Sequence, residues 1–167
     1  MEISASAVKE VRTRTSAGML DCKKALVDCN GDIDGAVGAL RKKGLAMAEK
    51  RAERAVGEGV VATYVHHNCR IGALVELNCE TDFVARTDDF RKLAYDIAMQ
   101  VVGATPRYLS EEERPDDCEA SVAEACLLSQ PFIKDPSKTV CDLITEAIAR
   151  TGENIKVGRF ARIELGC

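Results

Sequence analysis

Tryptophan is absent from this sequence, histidine occurs twice, proline four times, and aromatic residues make up 4% of the whole. Base stacking on aromatic faces, the main sequence-tolerant route to single-stranded nucleic acid, therefore has little to work with. The two histidines, His66 and His67, are adjacent with Cys69 nearby, and no Cys-x-x-Cys pair exists, which is a poor start for a tetrahedral zinc site. No apolar run approaches membrane-spanning length. The start, Met1-Glu2-Ile3-Ser4, has neither a signal-peptide pattern nor an Arg-rich transit pattern, so the expected location is the cytoplasm, or an organelle after processing. Catalytic patterns are missing too. There is no Gly-x-Ser-x-Gly elbow, and Gly57-Glu58-Gly59 precedes a strand, whereas a phosphate loop follows one. The expectation is a protein that is not an enzyme and carries no cofactor. A thiol enzyme would need one cysteine with a depressed pKa, and Glu80 with Asp82 could act as paired carboxylates, although carboxylates at a strand end more often cap a helix.

What is present is a folding chain. Its 167 residues are 46% hydrophobic, enough for a substantial core. The eight cysteines are scattered without a secretory context and read as mostly buried, reduced thiols. Residues 1–54 carry 11 Lys/Arg against 8 Asp/Glu and the remainder 12 against 19, a basic head on an acidic body. The head contains no aromatic residue. A ribosome- or RNA-associated module working through the basic face of residues 41–54 is one reading of that charge; a solvated helix face is the other.

Apolar spacing predicts three short helices in the head. Ser4 caps the first, with Val8 and Val11 inward. Met19, Cys22, Ala25, Leu26 and Cys29 mark the second, ended by Asn30-Gly31. Asp32 opens the third, with Ile33, Val37 and Leu40 inward and Gly44 as its end signal, and residues 45–56 form a connecting helix. After Gly57, Val60–Val65 and Ile71–Leu77 predict a hairpin. Phe90, Leu93, Ala94, Ile97, Ala98, Val101 and Val102 form one helical stripe. A helix is expected over Ser121–Leu128, a connection between Pro131 and Pro136, another helix through Val140, Leu143, Ile144, Ala147 and Ile148, and a strand over Ile155–Leu165. The fold class is therefore α+β: a three-helix module with its connecting helix over 1–54, then a core over 55–167 in which helices pack on a three-stranded antiparallel sheet.

Phe83 in Asn78–Phe90 (NCETDFVARTDDF) is ambiguous on residues alone. It lies seven positions before Phe90, so an early helix start puts both on one buried stripe. The polar break Glu80-Thr81-Asp82 argues otherwise, since Asp82 as a helix cap leaves Phe83 at the rim.

Five stretches, RTSAGMLDCKKAL (14–26), NGDIDGAVGALRKKG (30–44), NCETDFVAR (78–86), LLSQPFIKDPSKTV (127–140) and GENIKVGRFARIEL (152–165), resemble translation elongation factor Ts in order and separation. The resemblance implies a guanine-nucleotide exchange factor that binds elongation factor Tu in its GDP and nucleotide-free forms and promotes GDP release. It implies that the head is a ubiquitin-associated-like module, with Met19, Leu20 and Lys23 in the partner contact. It implies that Thr81, Asp82, Phe83 and Val84 form a wedge acting near the partner's Mg²⁺ site. The match is to a short form, with one sheet-containing unit where longer members carry two and a reduced insertion after Pro115. A homodimer is expected, since Ile155, Val157, Ala161 and Ile163 would otherwise be incompletely covered, with Cys167 as a possible interchain disulfide. Neither a membrane nor direct nucleic-acid binding is expected.

Overall fold

The computed structural model describes residues 3–166. The chain divides into two compact units, residues 1–54 with 145–154, and residues 55–144 with 155–167.

The first unit is built on α1 (Ala5–Thr15), α2 (Met19–Asp28) and α3 (Ile33–Arg51). Ser4 caps α1 by accepting from the Ala7 amide, and Asp32 caps α3 by accepting from Asp34. Between α2 and α3 the chain reverses through Asn30 and Gly31, both at positive φ (52° and 85°). Val8, Val11, Cys22, Leu26, Ala36 and Val37 form the core. Burying a side chain such as Leu26 contributes roughly 1.5–3 kcal/mol.

Gly44 does not end the third helix. The helix runs on to Arg51, absorbing the first part of the expected connecting helix and stopping short of residue 56, and Gly44 is a buried packing position. A Cβ there would lie 3.4 Å from Thr145 Cγ2 and 3.8 Å from Ala149 Cβ, so the missing side chain lets the C-terminal half of α7 (Val140–Thr151) approach closely.

In the second unit β1 (Glu58–Val65), β2 (Ile71–Cys79) and β5 (Ile155–Glu164) form an antiparallel sheet in the order β1-β2-β5. The helix α5 (Asp88–Ala104) covers one face, and every residue of its expected stripe is buried. A register shift between Glu76 and Leu77 leaves Gly158 as the extra residue of a β-bulge, because Leu77 pairs with Val157 and Glu76 with Arg159. The bulge inverts the alternation of β5. Ile155 and Val157 point into the core and are buried, while Ala161 and Ile163 face outward. The expectation that all four are uncovered thus fails for the first two, since the period of two is broken between Val157 and Ala161.

Two further departures are local. Helical structure expected over Ser121–Leu128 is a single turn, α6 (Val122–Ala125), followed by a 3-10 turn at Leu127–Ser129. The connection between the prolines is a small hairpin, β3 (Pro131–Phe132) with β4 (Asp135–Thr139). It is held to α5 by Gln100, fully buried, whose Nε2 donates to Gln130 Oε1 and Pro131 O at 3.1 Å each and whose Oε1 accepts from the Ile133 amide at 2.9 Å.

The seven described cysteines are all free thiols, of which Cys22, Cys79 and Cys126 are buried and Cys69 and Cys141 exposed. Fewer are buried than the sequence suggests. Cys167 lies outside the described residues.

Candidate partner-binding site

Two groups of sequence-marked residues fall on different units. In the first unit, Gly18 precedes α2 with no side-chain cap, and the first turn presents Met19 (62% exposed) and Leu20 (85% exposed) to solvent. Met19 keeps helical spacing with Cys22 and Leu26 but lies outside the core they form. Two large exposed apolar side chains side by side on one turn make this a candidate contact surface. Together with Lys23 they line one wall of a groove of about 720 Å³, whose other wall is Val8, Lys9 and Arg12 of α1. Its floor is apolar and its rim carries three cations. Lys9 and Arg12 escaped the sequence reading; their three-residue spacing on α1, the side away from Val11, was the available signal.

In the second unit β2 ends at the buried Cys79, whose thiol donates to Thr81 O at 3.1 Å. The cap of the following turn, α4 (Asp82–Ala85), is Thr81 and not Asp82: Thr81 is extended (φ −128°, ψ 154°) and its Oγ1 accepts from the Val84 amide at 3.5 Å. Asp82 occupies the first helical position and pairs with Arg86 at 2.8 Å. This exposed ion pair contributes little to stability. Ala85 anchors the turn by burial, Val84 is half-buried, and Phe83 is 81% exposed. Phe90, seven residues on, is 2% exposed. The stripe shared by the two phenylalanines in a continuous helix is therefore not formed, because the chain breaks at Thr87 (φ −69°, ψ 144°) before α5 begins. Of the two carboxylates considered as a pair, Glu80 and Asp82, Asp82 is in an ion pair with Arg86.

Other clusters offer little chemistry. Tyr64, His66 and Tyr95 are in ring contact at the hairpin end, with Tyr64 Oη 3.3 Å from His66 Nδ1. Among the described residues no group of three or more His, Cys, Asp or Glu is placed to hold a metal ion, and no helix is long and apolar enough to cross a membrane. Burial pushes the Cys126 thiol up from its ordinary range, opposite to what a nucleophile needs.

Residues 33–121 match the family model described as Elongation factor TS. Elongation factor Ts of Syntrophomonas wolfei is 50% identical over 98% of this chain and 91% of the relative. That of Thermotoga neapolitana is 48% identical over 99% and 98%, and that of Fervidobacterium nodosum 46% identical over 99% and 100%. These alignments run over 194 to 196 positions, more than the 167 residues here, so the relatives contain residues that this chain lacks. With similarity of this extent, the chain belongs to the elongation factor Ts family.

Proposed function

We propose that this chain is a guanine-nucleotide exchange factor in translation elongation, acting on elongation factor Tu in its GDP and nucleotide-free forms. The observation that carries the mechanism is an 81%-exposed phenylalanine, Phe83, on a one-turn helix capped by Thr81 and anchored by Ala85. A GTPase holds GDP through its phosphates and a bridging Mg²⁺, so an exchange factor breaks no covalent bond. It has only to bind a conformation in which those contacts are disturbed, and it shifts the equilibrium by its differential affinity for that conformation. Phe83 enters the partner near the Mg²⁺ site, with Asp82 and Val84 flanking it. Met19, Leu20 and Lys23 supply a second contact through the groove of the first unit. Separating these roles lets the groove give affinity while Phe83 biases the nucleotide site.

Two copies pair through the outer face of the sheet. That face carries Val61, Val65 and Leu74 with Ala161 and Ile163, whose cross-strand neighbours leave them open to solvent. An exposed apolar sheet face favours a covering layer, and a two-fold copy supplies one.

The exchange reading is tested by following release of fluorescent GDP from the matching elongation factor Tu with excess unlabelled nucleotide. Substoichiometric chain accelerates release on this account; a rate equal to spontaneous release removes it.

A further inference from the structure

Phe83 and Phe90 would share a face in a continuous helix, yet one is exposed and the other buried. The difference is made at residue 87. Thr87 is extended, its amide donates to Val84 O at 3.0 Å, and its hydroxyl donates to that same carbonyl at 2.8 Å. The hydroxyl oxygen also accepts from the Phe90 amide at 3.3 Å, capping α5. One side chain thus closes α4 and opens α5. The Asp82–Arg86 pair cannot substitute for it, since it lies wholly within the α4 turn and in solvent.

Resting on the exchange function proposed above, we infer that Thr87 is a positioning residue that holds Phe83 outward without itself meeting the partner. Its β-hydroxyl is the working group. Alanine removes both side-chain bonds and leaves only the backbone bond from residue 87 to Val84 O, which loosens the joint that fixes the angle between the two helices. Residue 83 samples orientations turned towards the stripe of α5, and fewer molecules present it at any instant. Serine keeps the hydroxyl and keeps the joint.

The absence of native tryptophan supplies the probe. In Phe83→Trp the indole is the sole one in the chain, so its emission maximum and its quenching by acrylamide report the exposure of residue 83 with no partner present. Adding Thr87→Ala is expected to shift the emission to the blue and lower the quenching constant; adding Thr87→Ser leaves both unchanged. In parallel, Thr87→Ala alone slows maximal GDP release about fivefold, the weight of one lost cap, and Thr87→Ser restores it. Ser121→Ala, which removes the hydroxyl that donates to Glu124 Oε2 at the start of α6, is the control for a purely structural loss and leaves both readouts at wild type. An indole indifferent to Thr87→Ala overturns the inference whatever happens to the rate, and so does a blue shift that Thr87→Ser fails to reverse. If the wild-type chain itself fails to release GDP, the exchange function falls while the indole still decides the geometry.

Discussion

At the scale of single residues, Gly44 shows how a correct observation can carry the wrong meaning. Glycine past a helical stripe signals a stop, but here a buried helix interior needs it for close approach to Thr145 and Ala149. The ambiguity is intrinsic, since what distinguishes the two uses is a segment a hundred residues away in sequence. Because the missing Cβ would sit at ordinary contact distance from both neighbours, Gly44→Ala should leave the melting temperature unchanged or raise it, by up to about 1 kcal/mol of helix propensity. Gly44→Val adds branches into the same gap and should destabilise by about 1–3 kcal/mol. Thermal unfolding of the pair checks the sign. Glu76 makes a second residue-scale case. Its carboxylate accepts from Asn78 Nδ2 at 3.0 Å and from Arg159 Nε at 2.8 Å, and these hydrogen bonds, Asn78 first, hold its pKa below the ordinary range. A carboxyl with a depressed folded pKa stabilises the fold above its unfolded pKa and loses that contribution as pH falls through the folded value. Melting temperature should therefore fall less steeply through the acid range in Glu76→Gln than in wild type, with parallel slopes near neutrality.

At the scale of elements, the caps and the stripes were legible in the sequence because they depend on neighbours within one turn. Ser4, Asp32 and the α5 stripe are of this kind. What local pattern could not show was register. A bulge at Gly158 shifts the parity of β5, so Ile155 and Val157 go inside and Ile163 outside although all three lie at odd positions. The hairpin β3–β4 was likewise hidden, because its strands are short, contain proline, and are held by Gln100 from another element. The candidate site was half legible. Polarity before Phe83 suggested a rim position, but the true cap is Thr81, and the break at Thr87 that exposes Phe83 depends on a hydroxyl bonded in two directions. Within β1, a Cβ on Gly59 would meet Leu77 O at 2.3 Å. Gly59→Ala is accordingly expected to cost more than about 1 kcal/mol in denaturant unfolding.

At the scale of the molecule, three surfaces carry the proposed function: the groove of the first unit, the outer sheet face and the Phe83 turn. The apolar outer face predicts a dimer whose light-scattering mass persists through micromolar dilution with reductant present, and Ile163→Asp, at a position 72% exposed, should yield monomer without loss of fold. A wild-type monomer at all those concentrations contradicts the pairing. Linkage adds a requirement: if the chain weakens GDP binding to elongation factor Tu, GDP must weaken binding of the chain by the same factor. The most direct test of the central claim is stopped-flow GDP release with saturating Phe83→Ala beside wild type, with the melting temperature of each. An exposed side chain contributes little to its own core, so the account predicts markedly slower release at an almost unchanged melting temperature. Release at the wild-type rate, or a stability loss of the roughly 3–5 kcal/mol expected for a core phenylalanine, would contradict it.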